Sequence, residues 1–192
     1  MTDYFIATEN KLSGQIPSEI GQASSLLNLA LDVNKLSGSI PTQIGLLNLL
    51  GSPTDPNADS PQQHGLQLQS NELTGNLPES LFSLVELRLL NVRSNSLNGT
   101  ISTSIEQLEN LISLNLADNK FNGAIPSELG SLANLDLLYI EENDFVGPVP
   151  DEVCSIDFTD SPITPYTFCS DCIICGCCDF CFSEADNICK AI

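Results

Sequence analysis

One thirteen-residue stretch decides the fold. It reads LALDVNKLSGSIP and spans residues 29–41. The same pattern of leucine, asparagine, glycine and proline returns around further asparagines, the first in degenerate form. The repeat asparagines are Asn10, Asn34, Asn71, Asn95, Asn119 and Asn143. Their spacings are 24, 37, 24, 24 and 24 residues, so the sequence predicts about six coils built from one 24-residue unit.

Each position of the unit has a physical role. Leu29 and Leu31 alternate with period two, which predicts a short strand with one face inward. Gly38 permits a tight turn, and Pro41 fixes the backbone at the exit. The amide of Asn34 both donates and accepts, so we expect the repeat asparagines to hydrogen-bond the backbone of their own coil and of the next. One coil cannot bury its own apolar edge, and stacked coils can.

An apolar residue also returns at the back of each coil, where we expect it to close the core. The closing residues are Ile20, Ile44, Leu81, Ile105 and Leu129.

The unit resembles the plant-type leucine-rich repeat, L-x-x-L-x-L-x-x-N-x-L-x-G-x-I-P, over residues 4–150. The resemblance implies an α/β right-handed solenoid with a parallel β-sheet on the concave face and short 3₁₀ or irregular segments on the convex face. It also implies an extracellular recognition module, as in receptor-kinase ectodomains and cell-wall-protein inhibitors. We therefore assign residues 1–150 to the repeat array, with an incomplete first coil.

The sequence departs from the family pattern in two places. The cysteine-bearing N-terminal cap is absent and no signal peptide is visible, so we expect the N-terminus to be incomplete. The 37-residue spacing adds 13 residues at about 52–64, and three prolines there predict a solvated loop that includes His64. This loop is either a ligand contact at the sheet edge or a tolerated insertion.

Strand residues that alternate with the inward leucines should face the concave side. The candidate ligand-binding residues are Gln67, Gln69, Asn91, Arg93, Asn115, Asp118, Tyr139 and Glu141. The central amides suit a carbohydrate or a polar peptide, whereas the acidic end with its tyrosine suits a basic peptide or protein. The alternative is that these exposed positions are polar only for solubility.

The tail, residues 151–192, is predicted to be a Cys-rich C-terminal cap over the last coil, and it holds every cysteine of the chain. They are Cys154, Cys169, Cys172, Cys175, Cys177, Cys178, Cys181 and Cys189. Their even number favours four disulfides. Overlapping C-x-x-C spacings leave zinc binding open, and redox chemistry is the weakest alternative. The string from Cys172 to Cys181 also resembles the tail of secreted algal leucine-rich repeat proteins.

Charge excludes several classes of partner. The chain has 25 acidic and 6 basic residues and a formal net charge of −19, which argues against nucleic acid and anionic membranes. No apolar run is long enough for a transmembrane segment. Surface carboxylates are candidates for Ca²⁺ association, and Asn98-Gly99-Thr100 is a candidate glycosylation triplet.

Nothing in the sequence predicts an enzyme or a cofactor. The single histidine lies in the proline-rich insertion, away from any nucleophile pattern, and no phosphate-binding glycine loop is present. We therefore expect a non-catalytic extracellular or cell-surface recognition module that binds a protein, peptide or glycan on its concave face. The alternative is a structural, cell-wall-associated acidic protein without a single specific ligand.

Overall fold

A computed structural model describes residues 4–52 and 64–156, together with the backbone of two strands at 180–183 and 188–191. Expectations for residues 53–63 of the insertion lie outside the described residues. The same holds for five of the tail cysteines, Cys169, Cys172, Cys175, Cys177 and Cys178.

One six-stranded sheet is built from a single strand of each coil. With strands numbered in chain order, its members are β1 Tyr4–Ile6, β3 Asn28–Ala30, β5 Gly65–Gln67, β7 Leu89–Asn91, β9 Ser113–Asn115 and β11 Leu137–Tyr139. The spatial order is β1-β3-β5-β7-β9-β11, and every neighbouring pair is parallel. The predicted solenoid with a parallel concave sheet is therefore confirmed.

A second six-stranded sheet, here called the side sheet, runs along the same coils. Its members are β2 Ser13–Gly14, β4 Lys35–Gly38, β6 Glu72–Gly75, β8 Ser96–Gly99, β10 Lys120–Gly123 and β12 Asp144–Phe145. The order is β12-β10-β8-β6-β4-β2, again parallel. The sequence pattern predicts only a turn for this segment, because its single inward leucine gives no alternating run.

The back of the coils is formed by five short 3₁₀ helices. They are Ser18–Gln22, Thr42–Leu46, Glu79–Ser83, Thr103–Gln107 and Ser127–Ser131. Proline precedes four of them with φ from −70° to −68°, a value its ring fixes. Before the fourth helix, Ser102 stands in place of proline with φ −67°, and its side chain accepts a hydrogen bond from the backbone N–H of Ser104. After Pro150 the matching position is taken by helix α1, Asp151–Cys154.

A continuous apolar core runs through the stack. From the second coil onward, inward leucines such as Leu29, Leu66 and Leu90 are fully buried, whereas Phe5 in register with Leu29 in the first coil is exposed. The closing residues lie in the 3₁₀ helices and are buried from Ile44 onward, while Ile20 in the first coil is only half-buried. Among the described residues no coil covers that side of Ile20, so the first coil is the least sealed part of the core.

The repeat asparagines join the coils by hydrogen bonds. Asn95 is representative, because its Nδ2 donates to the carbonyls of Leu68, Val92 and Arg93 and its Oδ1 accepts from the N–H of Leu73. The four asparagines at 34, 71, 119 and 143 bond in the same way. Asn10 in the first coil is exposed and donates only within its own coil.

The insertion is not solvated at its two ends, which corrects the expectation for them. Ser52 is buried, and its N–H donates to the carbonyl of Leu49 as the turn of the coil continues. His64 is half-buried and its ring lies 5.2 Å from the ring of Tyr4.

The C-terminal strands form a separate pair. β13 Phe180–Ser183 and β14 Ile188–Ala191 are antiparallel, with Phe182 opposite Cys189. Across the described parts of the chain, no helix is long and apolar enough to cross a membrane.

Candidate functional site: the concave face

Four predicted side chains occupy one row across the concave sheet. The register aligns Gln67 with Asn91, Asn91 with Asn115, and Asn115 with Tyr139. The residue before each of them is a buried leucine of the core, so these four project to the opposite, concave side. All four are half-buried. The structure thus brings together amides and an aromatic ring on consecutive strands, roughly 4.8 Å apart.

The two central asparagines are held in a defined orientation. Asn91 Oδ1 accepts the backbone N–H of Arg93 at 3.1 Å, and Asn115 Oδ1 accepts that of Ala117 at 3.1 Å. Each bond uses the carbonyl oxygen of the amide, and Nδ2 has no partner in the described part of the chain and can donate outward. The middle of the face therefore presents two preset hydrogen-bond donors.

A second row lies two residues further along each coil, beyond the ends of the three-residue strands. In this row Gln69 and Glu141 are half-buried and Arg93 is exposed. Asp32 and Ala117 in the same row are buried, which corrects the expectation that the whole row faces solvent. Asp32 is enclosed because its Oδ1 accepts the hydroxyl of Thr8 at 2.8 Å.

Two side-chain oxygens of the second row lack partners among the described residues, one in the middle of the face and one at its acidic end. Glu141 Oε2 and Gln69 Oε1 are both shielded from solvent and have no hydrogen-bond partner among the described residues. Glu141 lies near Tyr139 in the last described coil, and Asp118 and Glu142 are exposed close by. A shielded acceptor without a donor is unfavourable unless a ligand supplies one.

The residue after the second row adopts a left-handed backbone in every coil. These residues are Glu9, Val33, Ser70, Ser94, Asp118 and Glu142, with φ from 52° to 55°. None is glycine, and Val33 is β-branched, a residue type for which this conformation is a clear outlier. The turn therefore sets the direction of Asp118 through the backbone and not through strand alternation.

Sequence reasoning missed some residues of the face. Leu89 and Leu137 precede inward leucines and lie half-buried in the sheet, beside Asn91 and Tyr139. At the other end, the buried Asn28 accepts the N–H of Gly65 and the Nε2 of Gln67. The signal was available, because the first residue of each strand must share a face with the third.

Other surfaces provide weaker candidates. A groove on the convex side is lined by Glu106, Gln107, Glu109, Ser131, Ala133 and Asn134. Another, at the first coil, is mostly apolar and lies against Phe5, Ile20 and Leu26. Within residues 4–52 and 64–156, no group of three or more acidic, histidine or cysteine side chains is placed to hold a metal ion.

Comparisons with known proteins agree with the repeat. The family model for the Leucine Rich Repeat matches residues 86–108 and 110–132. A chain of the BIR3–SERK2 complex from Arabidopsis thaliana is similar with 31% identity and a TM-score of 0.60, over 75% of this chain and 70% of that one. No curated protein sequence gives a significant match.

Two further similar structures differ in what they bind. The plant peptide hormone receptor RGFR1 in complex with RGF2 has 39% identity and a TM-score of 0.68, over 78% of this chain and 22% of its own. A plant ice-binding protein has 30% identity and a TM-score of 0.69, over 79% of this chain and 46% of its own. This chain thus spans about a fifth of the receptor, and the shared fold leaves the ligand to be argued from the surface.

Proposed function

The chain belongs to the leucine-rich repeat family, and on that premise we propose that it is a non-catalytic, extracellular recognition module for an extended basic peptide. The peptide lies across the concave strands. What supports this role is the similarity to receptor ectodomains, among them a peptide hormone receptor. The repeat supplies a rigid row of side chains, as recognition by a solenoid requires.

The size and chemistry of the face suit a peptide backbone. Five strand-to-strand steps of about 4.8 Å give a track of roughly 24 Å, which about seven extended residues span. The preset Nδ2 donors of Asn91 and Asn115 can each donate to a peptide carbonyl. Leu89 and Leu137 offer apolar contact beside them.

The observation that supports a basic ligand is the shielded Oε2 of Glu141, which has no hydrogen-bond partner among the described residues. An arginine or lysine of the ligand would supply the missing donor, and the ring of Tyr139 can stack on the same cation. Asp118 and Glu142 extend the negative surface. With a net charge of −19, the chain also attracts basic ligands at a distance.

We further propose that residues 151–192 form a disulfide-stapled cap over the last coil. Cys154 supports this because it is disulfide-bonded, and Val153 beside it is fully buried at the closing position. Disulfides of this density fit an extracellular location.

The test is a selection of random ten-residue peptides on the intact chain, followed by affinity measurement of the enriched peptides. We expect peptides with arginine or lysine at one end, whose affinity falls as salt rises from 0.1 M to 1 M, because the Debye length shrinks from about 10 Å to 3 Å. Asn91→Ala, Asn115→Ala and Tyr139→Ala together should abolish binding.

A matched control variant truncates three exposed side chains of the side sheet, by Thr74→Ala, Asn98→Ala and Asn122→Ala. Its affinity for the selected peptides should be unchanged. Peptides that bind the concave triple variant as tightly as the original chain would refute the proposed site. A selection that enriches peptides without basic residues would refute the proposed ligand class.

A further inference from the structure

The chain contains one Asn-x-Ser/Thr triplet, Asn98-Gly99-Thr100. Such a triplet is the acceptor for N-glycosylation when the middle residue is not proline. A glycan is bulky and solubilising, so the folded surface must leave the asparagine free and uncrowded. We propose that Asn98 carries an N-linked glycan, a site that depends on the extracellular location proposed above.

The amide of Asn98 is free. Its side chain is exposed and makes no hydrogen bond with any described residue. Asn95, three residues earlier, is the opposite case, because its Nδ2 donates to the carbonyls of Leu68, Val92 and Arg93. Nδ2 is the atom to which the sugar is attached. Within one coil, the Nδ2 of Asn98 is therefore available for modification and that of Asn95 is not.

The surroundings of Asn98 leave room for a glycan. Asn98 lies in β8, near the middle of the side sheet, with β10 on one side and β6 on the other. The preceding Leu97 is fully buried, so Asn98 points away from the core. Thr74, Thr100 and Asn122 nearby are exposed and short.

The sugar donor for this transfer is an oligosaccharide linked to a polyprenyl pyrophosphate. A bond forms between Asn98 Nδ2 and the anomeric carbon of the first sugar. The bond from that carbon to the phosphate oxygen breaks, Nδ2 gives up one proton, and the polyprenyl pyrophosphate leaves. No oxidant or reductant is needed.

The next coil supplies an internal control. Asn122-Gly123-Ala124 occupies the same place in β10, and Asn122 is likewise exposed without a hydrogen bond to the described residues. The two triplets differ in the hydroxyl residue, Thr100 against Ala124. Thr100→Ala therefore converts the first triplet into the second, and Ala124→Thr does the reverse.

The glycan has a consequence for the proposed recognition site. It would cover part of the side sheet, which is formed by different strands from those that carry Asn91, Asn115 and Tyr139. Peptide affinity should therefore be the same for the glycosylated chain and for Thr100→Ala.

The test expresses the full chain behind a secretion signal in the presence of endoplasmic-reticulum vesicles, and analyses only chains protected from added protease. Intact mass and glycosidase digestion should show one glycan on the original chain, none on Thr100→Ala and two on Ala124→Thr. Protected chains without a glycan, or a glycan that survives Thr100→Ala, would overturn the site. If Ala124→Thr alone is modified, Asn98 is not the acceptor.

The peptide assay on the same samples separates the two proposals. Loss of peptide binding from both the glycosylated chain and Thr100→Ala would contradict the proposed function and leave the glycan in place. A glycosylated chain that binds peptide more weakly than Thr100→Ala would contradict the placement of the glycan away from the concave face.

Discussion

Replacing Asn119 by alanine should destabilise the chain more than replacing any exposed asparagine. Asn119 is the most buried of the repeat asparagines, at 9% exposure. Its Nδ2 donates to the carbonyls of Val92, Leu116 and Ala117, and its Oδ1 accepts the N–H of Leu97. The substitution removes all four bonds at once.

The magnitude follows from which groups keep another partner. The carbonyl of Val92 still accepts from Asn95, and that of Leu116 from Asn143. The N–H of Leu97 loses its acceptor in a buried place. One orphaned buried donor costs about 1–3 kcal/mol, and the small cavity raises the total to about 2–4 kcal/mol.

Asn119→Asp is the sharper variant. The carboxylate keeps the acceptor for Leu97 but faces three carbonyl oxygens that Asn119 Nδ2 now reaches at 3.0–3.1 Å. Repulsion should make this chain less stable than Asn119→Ala at neutral pH. The folded state disfavours the ionised form of this carboxyl group. The difference in unfolding free energy between Asn119→Asp and Asn119→Ala should therefore shrink as the pH falls toward the ordinary aspartate pKa of about 3.9.

Equilibrium urea unfolding followed by circular dichroism measures these differences, with amide exchange at Leu97 as the local readout. Asn10→Ala is the matched control, since Asn10 is exposed and bonds only within its coil, and should cost less than about 1 kcal/mol. If Asn119→Ala and Asn10→Ala agree within about 0.5 kcal/mol, the asparagines do not hold the coils together.

Three further predictions concern the backbone and are measured by the same unfolding assay. Gly45→Ala should cost about 3 kcal/mol, because a β-carbon there would overlap the backbone carbonyl of Ser80 in the next coil. Gly14→Ala, with φ +84° but open space around it, should cost less, about 1–2 kcal/mol. Equal stability of the two variants would contradict close packing of the coils. Val33→Asn should stabilise by roughly 1 kcal/mol, because Val33 has φ +53° and asparagine tolerates that conformation; a loss of stability would refute the strain. Ser102→Pro should be about 0.4–1 kcal/mol more stable than Ser102→Ala, because φ −67° already fits proline; the reverse order would show that the Ser102 hydroxyl does more than replace a proline.

The sequence was sufficient for the solenoid because its signals repeat in register. Leu29 and Leu31 predict a strand. Because the same leucine pair recurs with the 24-residue unit, the strands are predicted to pair in parallel, and the sheet register confirms this. The side sheet was not predictable in this way. Segments such as Lys35–Gly38 carry one inward leucine each, and their pairing depends on coils already stacked by the rest of the unit.

The candidate site was only partly accessible from sequence. Alternation correctly aligned Asn91 with Asn115, but it could not foresee that a hydrogen bond fixes each amide. It also failed beyond the strand ends, where Asp32 is buried and Asp118 adopts a left-handed backbone. Strand alternation predicts which way a side chain points only for the three paired residues of each strand. In the turn after them, the direction depends on the backbone conformation and on contacts with neighbouring coils.

A structure of the chain with a selected basic peptide tests the central claim most directly. We expect a peptide extended over β7, β9 and β11, with an arginine or lysine nitrogen within hydrogen-bond distance of Glu141 Oε2 and peptide carbonyls bonded to the Nδ2 atoms of Asn91 and Asn115. A peptide seated on the side sheet or in the convex groove, with Glu141 Oε2 still unpartnered, would contradict it.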